Sequence, residues 1–305
     1  MSPSKVVITG GSGFIGSQLA QIFSDLAFEV VSIDPNIISN LIPDVNYIHR
    51  DINCISDKEL ENLIRGSTLV HLAALSSSPI CEENPTLAIR ANLDLTMKLI
   101  SISNRTNSQI IFASSEWVYP DSLSPTVLLE DYQIELDPER NFYSMTKLVG
   151  EWMVKKYSKN YQILRFGIVY GERKTPQSAI EKIVYDAVKI SKVQVGNFQT
   201  ARCFIHVEDL CLGIAESVKL NSKNATFNLA GEKLVSLSEI VKEVEEILNY
   251  EIEKIDLGQS PSIRNPVSES FCEIHNWRPK LSISEGIHRL VNLYQRESRG
   301  ENRDA

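Results

Sequence analysis

A tyrosine and a lysine four residues apart, Tyr143 and Lys147, open a long amphipathic stretch of this chain. On a helix that spacing puts both on one face. An ammonium beside a phenol stabilises the phenolate, so Lys147 is expected to draw the Tyr143 pKa down from its usual value of about 10. A phenol tuned in this way can pass a proton to and from an alcohol or ketone. The same spacing recurs at Tyr170, Tyr185 and Tyr250, where a strand-exit turn, a solvated helix face and a helix end account for it. Tyr143 alone follows, by about 28 residues, an apolar run ending in Ser114-Ser115. A serine hydroxyl at that point could orient the same substrate oxygen, and either serine qualifies.

A second chemical feature lies near the start of the chain. Lys5-Val6-Val7-Ile8-Thr9 runs into Gly10-Gly11-Ser12-Gly13-Phe14-Ile15-Gly16, and an amphipathic run follows at once. A strand feeding a helix through a glycine turn collects backbone N–H groups and a positive helix end at one point, where a pyrophosphate can approach the main chain. An ordinary strand–turn–helix is the alternative. Asp34, at the end of the next apolar run and about 20 residues on, decides for a dinucleotide. A carboxylate there accepts from a ribose 2′-OH and repels a 2′-phosphate, and Pro35-Asn36 follow it with no basic residue. NAD is therefore expected over NADP.

The elements that must position these groups alternate. Strand-like runs at 5–9, 29–34, 46–49, 68–73, 109–114 and 161–166 are separated by helical patterns near 14–26, 57–65, 85–104 and 143–158. This is the pattern of an α/β chain with a doubly wound parallel sheet covered by helices on both faces. Ligands of such sheets lie outside the carboxyl ends of the strands. On the helix that starts near 143, Met145, Leu148, Val149, Trp152 and the Lys156 stem are expected to pack, leaving Tyr143 and Lys147 to a cleft. After about residue 170 the pattern changes to a helix over 177–192, short strands at 193–196, 202–206 and 225–229, and two helices opened by Ser236-x-x-Glu239 and Ser282-x-x-Glu285 capping boxes. The expected organisation is a dinucleotide-binding domain over 1–170 and a smaller α/β substrate region over 171–297, with some segments returning to the main sheet. The polar tail 298–305 is expected to be disordered, and a cleft between the two parts is the expected substrate site.

Composition narrows the function. The 305 residues are 43% hydrophobic and 23% charged, as in a globular protein, with a formal net charge of −8. An acidic chain lacks the basic footprint of nucleic-acid binding. No apolar run is long enough for a membrane span, and a first strand at about residue 5 leaves no expectation of a signal peptide. Five scattered cysteines without CxxC, and histidines without metal spacing, point to reduced thiols, a cytoplasmic setting and no metal.

Taken together the chain resembles the extended short-chain dehydrogenase/reductase family, in its nucleotide-sugar epimerase/dehydratase branch. The residues that carry the likeness are the Thr9–Gly16 loop, Asp34, Arg50-Asp51-Ile52, His71-Leu72-Ala73-Ala74, Asn92, Ser114-Ser115-x-x-Val118-Tyr119 and Tyr143-x-x-x-Lys147. Further along come Leu164-Arg165-Phe166, Val169-Tyr170-Gly171, the run from Arg202 to Leu210, and Asn276-Trp277-x-Pro279-Lys280. The resemblance implies a Rossmann-type fold with NAD across the sheet's carboxyl edge. Gly10, Gly13, Phe14, Ile15 and Gly16 would meet the pyrophosphate, Asp34 the adenosine ribose, and Asp51 and Ile52 the adenine. Ala73 and Ala74 would line the path to the nicotinamide, and Lys147 would also hold its ribose. Val118-Tyr119 fixes the register, so that Ser115, Tyr143 and Lys147 form the catalytic trio. The substrate implied is a nucleoside-diphosphate sugar, met by Ser76, Glu116, Arg202 and Arg264, although a surface ion pair is the alternative for either arginine. A homodimer is implied through the helices near 85–104 and 143–158.

Three departures from the family bear on the reaction. Gly167 stands where epimerases of the family commonly carry an asparagine. Cys203 follows the substrate arginine where an acid or similar polar residue is common. Glu116-Trp117 replaces the acid–acid pair of the sugar 4,6-dehydratases, leaving the first carboxylate without its partner, although a solvated loop acid would also explain Glu116. The expected function is an NAD-dependent nucleotide-sugar 4-epimerase acting by transient oxidation at C4, with a UDP-hexose favoured. The alternatives are a nucleotide-keto-sugar reductase or dehydrogenase, dehydratase-like chemistry, and a non-catalytic NAD-binding protein.

Overall fold

The structure is a computed structural model that describes residues 5–37, 40–135, 137, 139–220 and 222–298. In chain order it begins with β1 (Lys5–Thr9), α1 (Phe14–Asp25), β2 (Glu29–Ile33), β3 (Val45–Ile48), α2 (Asp57–Ile64) and β4 (Ser67–His71). Then come α3 (Ser78–Glu83), α4 (Pro85–Ile89), a π-helical turn (Arg90–Asp94), α5 (Leu95–Thr106), β5 (Gln109–Ser115) and β6 (Val127–Leu128). The middle holds α6 (Phe142–Tyr157), β7 (Tyr161–Phe166), β8 (Ile168–Tyr170), α7 (Ala179–Ile190), β9 (Lys192–Val195), β10 (Ala201–Arg202), β11 (Phe204–His206), α8 (Val207–Leu220) and β12 (Ala225–Leu229). The chain closes with β13 (Val235–Ser236), α9 (Leu237–Leu248), β14 (Glu253–Asp256), β15 (Asn265–Pro266), α10 (Glu269–His275) and α11 (Ile283–Ser298). The expected tail thus begins on a helix end at Ser298, and 299–305 lie outside the described residues.

The chain divides into two compact units. The first comprises Met1–Val118, Gln133–Phe166 and Cys211–Phe227, and the second Tyr119–Tyr132, Gly167–Leu210 and Asn228–Ala305. The first holds a seven-stranded sheet of order β12-β7-β5-β4-β1-β2-β3. β1 pairs in parallel with β2 and β4, β4 with β5, and β5 with β7. The fold is therefore the doubly wound parallel sheet expected from the β–α alternation. Strands such as β5 are buried at every position, as strands covered by helices on both faces must be. Residues 225–229, read from the sequence as one of the short strands after residue 170, supply the seventh strand of this sheet. One side of the sheet packs Val7, Leu69, Ile110, Phe112 and Ile163 against Leu60, Ile64, Leu95, Leu99, Met153 and Val154.

The helix expected over 85–104 is interrupted. Its first turn, α4, passes into the π-helical turn at Arg90–Asp94 before α5 begins. A π turn of this kind carries one extra residue and re-aims the side chains on it.

The second unit is built on helices α7, α9 and α11, whose Ile183, Val184, Ile240, Val244, Ile287, Leu290 and Tyr294 share one core. Ser178 and Glu181 form a capping box on α7, and Ser236 and Glu239 another on α9. Short pairs complete the unit: β8 with β11, β9 with β14, β6 with β15 and β10 with β13.

Candidate active site

The first turn after β1 has the features of a pyrophosphate site. Gly10 adopts φ +74°, and a Cβ there would lie 2.8 Å from the Ala73 backbone nitrogen, so no side chain fits this turn. The Gly10 N–H donates to Ile33 O and the Gly13 N–H to Gly10 O, which locks the loop against β2. Gly13 is the N-cap of α1 and no side chain caps that helix, so its positive end is left to a ligand. Phe14, Ile15 and Gly16 form its first turn. Asp34 is buried at the carboxyl end of β2, where it accepts from the Ser12 N–H and from both the backbone and side-chain nitrogens of Asn36. These residues fit a dinucleotide. Asp51 caps the turn Ile52–Cys54 with Ile52 buried behind it, Ala73 and Ala74 are half-buried past β4, and Ser76 is exposed.

A chain of hydrogen bonds fixes the Ala73 side of this site. The Ala73 N–H donates to Thr9 Oγ1, which lies 2.8 Å from His71 Nδ1, and His71 Nε2 lies 2.9 Å from Thr96 Oγ1. Thr96 donates its own proton to Asn92 O, so it accepts from His71, and the imidazole carries its proton on Nε2. Burial, with Lys147 nearby, lowers the His71 pKa to about 3 and keeps the ring neutral.

The trio assembles at the end of β5. Ser115 ends that strand, and its side chain lies beside the Tyr143 hydroxyl and accepts from the Trp117 N–H. Tyr143 lies in the first turn of α6, whose N-cap Asn141 accepts from the Ser144 N–H. Glu82 of α3 accepts from the Phe142 N–H at 2.5 Å, giving that helix end a negative charge its own first turn lacks. Lys147 is buried one turn on and donates to Ala113 O at 2.7 Å, with Nζ 5.9 Å from the centre of the Tyr143 ring. Asn92, on the π turn, donates to Leu75 O and to Thr146 Oγ1 and accepts from the Leu75 N–H. It ties the loop beyond β4 to the turn that carries Tyr143. Neither Glu82 nor this tie is legible in local sequence.

Two expectations are corrected here. Lys147 does not outweigh burial: burial pushes the Tyr143 pKa up to about 12, opposed by Ser115 and reinforced by Cys81. The ammonium is turned to Ala113 O, and burial lowers its own pKa to about 8. The packed face of α6 is also the other one. Lys147, Gly150, Glu151 and Val154 are buried, whereas Leu148 and Val149 are half-buried and Trp152 is 57% exposed. Gly150 lets the helix lie on Phe112, whose ring would meet a Cβ at 2.7 Å. The reactive pair thus stands on the side of the helix that faces the sheet.

Beneath the trio lies a buried network. Arg165 of β7 forks onto Glu151, with Nε to Oε1 at 2.9 Å and Nη2 to Oε2 at 2.7 Å, and Ser114 donates to Oε1 at 2.6 Å. Burial alone would raise the Glu151 pKa, but Arg165 and Ser114 outweigh it and hold the carboxyl below its usual value. Ser114, the serine not chosen for chemistry, belongs to this network. Glu116 is fully buried in the turn after Ser115 and is not a solvated loop acid.

In the second unit, two bridges on Ile263, one to Ser122 and one to Ala201, bring three segments side by side. Arg202, Arg264, Asp121 and Ser262 therefore meet. Arg264 Nη2 lies 2.9 Å and Arg202 Nη2 3.7 Å from Asp121 Oδ1, and Ser262 Oγ donates to that same oxygen. Arg202 also donates to Ala201 O and Ser262 O. Gly167 explains its own departure: a Cβ would lie 2.5 Å from Cys203 O and 2.8 Å from Ala230 Cβ, so an asparagine has no room there. Cys203 is buried with Sγ on Asn265 Oδ1. Among the described residues no group of His, Cys, Asp and Glu could hold a metal ion, and no helix is long and apolar enough to cross a membrane.

Residues 6–230 match the model of the NAD dependent epimerase/dehydratase family. The chain belongs to that family. It is an enzyme of this NAD-dependent type, and NAD is its cofactor. A protein of Methanocaldococcus jannaschii provisionally named UDP-glucose 4-epimerase is 28% identical over 96% of this chain and 99% of its own. UDP-glucuronic acid decarboxylase 1 of Arabidopsis thaliana is 26% identical over 95% of this chain and 70% of its own. Among solved structures, the UDP-glucose 4-epimerase of Thermotoga maritima with UDP-glucose superimposes with a TM-score of 0.83, at 21% identity over 96% of this chain and 99% of that one. That likeness carries the fold. The two sequence relatives bear names of different reactions, so the family alone does not choose the chemistry.

Proposed function

We propose that this member of the epimerase/dehydratase family is a UDP-hexose 4-epimerase. The observation that carries the reading is the Tyr143 hydroxyl beside Ser115 at the end of β5, one helical turn from the Lys147 ammonium. The names of its relatives support UDP as the nucleotide. Gly10, Gly13 and the first turn of α1 would hold the pyrophosphate of NAD and Asp34 its ribose, and the coenzyme would supply the acceptance of a hydride and its return. Tyr143 takes the proton of the C4 hydroxyl as that carbon is oxidised and gives it back when the hydroxyl re-forms on the other face. Ser115 hydrogen-bonds the same oxygen, and the Lys147 ammonium opposes the phenolate charge. Arg202 and Arg264 take the substrate diphosphate, a role suited to guanidinium forks. Trp117, in place of a second carboxylate, leaves no base for 4,6-dehydration.

The test offers UDP-, dTDP-, GDP- and CDP-hexoses with NAD no more concentrated than enzyme, and follows the sugars by NMR. A UDP-hexose converts to its C4 epimer without net coenzyme turnover. Product formed only with stoichiometric NAD(P)H, or a 4-keto-6-deoxy sugar, rejects the epimerase.

Two predictions follow from the same residues. Lys147 is charged below about pH 8 and neutral above it, so kcat/KM should fall about tenfold per pH unit on the alkaline side of that value. A profile flat to pH 10 rejects the role given to the ammonium. We also propose a homodimer, supported by exposed Leu87 and Ile89 on α4 and exposed Trp152 and Tyr157 on α6. Light scattering should give twice the 34.3 kDa chain mass, and a monomer at micromolar concentration overturns it.

A further inference from the structure

We propose that Asp121 is an internal competitor that occupies the anion site of Arg202 and Arg264 when no substrate is bound, and must leave it for a diphosphate to enter. The proposal rests on the diphosphate role given to the two arginines and adds a competitor to it.

The geometry is that of an anion site filled by the chain's own carboxylate. Two guanidinium groups and a hydroxyl, from segments on either side of Ile263, converge on one oxygen, Asp121 Oδ1. Arg264 and Ser262 lie at hydrogen-bond distance of that oxygen and the Arg202 guanidinium stands 3.7 Å off, a cationic setting that suits a phosphoryl oxygen. The partners differ in freedom. Arg202 and Arg264 are buried at 9% and 4% exposure, whereas the Asp121 side chain is 57% exposed. Moving Asp121 into water costs little desolvation, while the arginines stay as a preformed receptor.

The charges set the selectivity. Two guanidinium groups facing one carboxylate leave one positive charge, and a sugar nucleotide brings two negative charges on adjacent phosphoryl groups. A ligand that engages both arginines at once can displace Asp121, and a single phosphate competes less well. The apparent affinity for any anion is the intrinsic affinity scaled by the fraction of molecules in which Asp121 has left the site. Ser262 connects the two states, since its hydroxyl donates to Asp121 and accepts from Arg202 Nη2.

The experiment is calorimetric titration of the full chain with UDP and with inorganic phosphate at fixed ionic strength. Asp121→Asn keeps the size and removes the charge, and should bind UDP about tenfold tighter than the unaltered chain. Inorganic phosphate should gain by a similar factor, since the same occupant excludes either anion. Asp121→Ser should behave alike, which separates charge removal from any new amide contact. Unchanged or weaker UDP binding in both variants overturns the proposal and makes Asp121 a support for the arginines. Arg264→Met reports on the arginine reading separately. A loss of about tenfold or more in UDP affinity keeps that reading, and no loss removes it together with the competitor.

Discussion

Tyr143→Phe lowers kcat about a thousandfold while leaving NAD affinity within about twofold. The substitution deletes one oxygen and nothing else. The ring stays in the first turn of α6, over which Lys147 lies 5.9 Å from its centre. The helix start is held by Asn141 on Ser144 and by Glu82 on Phe142, neither of which uses the phenol. The proposed NAD site, with the glycine turn, Asp34 and the Thr9–His71–Thr96 chain, also survives. What goes is the group proposed to exchange a proton with the C4 hydroxyl. With its pKa near 12 the phenol is protonated at neutral pH, so it is a ready donor to a keto oxygen. It becomes a base only where opposing charge, that of Lys147 included, helps the phenolate. Ser115→Ala should cost less, since Ser115 orients the oxygen without carrying the proton. The measurement is epimer formation by NMR beside a fluorescence titration of NAD. A Phe variant with near-normal turnover excludes Tyr143 as the proton carrier, and one that loses NAD makes the tyrosine structural.

What sequence made visible, and what it hid, divides by distance along the chain. The glycine turn, the strands at 5–9 and 161–166, and the Tyr143/Lys147 spacing are written in patterns a few residues wide, and the fold matches them. On α6 the apolar pattern does not mark the buried face: Trp152 is exposed, whereas Lys147, Gly150 and Glu151 are buried. Gly150 and the Glu151–Arg165 pair reverse that, since a helix can be drawn onto a sheet by the absence of a side chain and by a paired charge. The π turn within 85–104 has no composition that distinguishes it from continuous helix, yet it aims Asn92 at Thr146, 54 positions away. Ser262 and Asp121 are 141 positions apart and meet through single bridges on Ile263, beyond the reach of any periodicity. The recurrence Tyr143, Lys147, Glu151 at every fourth residue was the one local signal that could have placed Glu151 under the site.

Arg165→Leu destabilises the chain by about 3–5 kcal/mol, because it removes the fork that holds a buried carboxylate. Glu151 is 2% exposed, and its remaining cation, Lys155, lies 3.6 Å away and is itself 43% exposed. The double variant Glu151→Leu/Arg165→Leu should be more stable than the single one, since it removes the stranded charge along with its partner. The dependence on pH has a definite sign. In the unaltered chain Glu151 titrates below its usual value, so its contribution is present at neutral pH and is lost as acid protonates it. Without Arg165, burial dominates and the folded-state pKa rises above the unfolded one, so protonation relieves the strain. The deficit of Arg165→Leu should therefore shrink as the pH falls from 7 toward 5. Urea unfolding of the three proteins at both pH values reads this out, and a deficit that grows in acid contradicts the stranded-carboxylate argument. Activity should fall in the single variant as well. Ser114 and Lys147 both look to Glu151, the first through a hydrogen bond and the second through its charge. A carboxylate that turns neutral loosens the floor on which Ser115, Tyr143 and Lys147 are set.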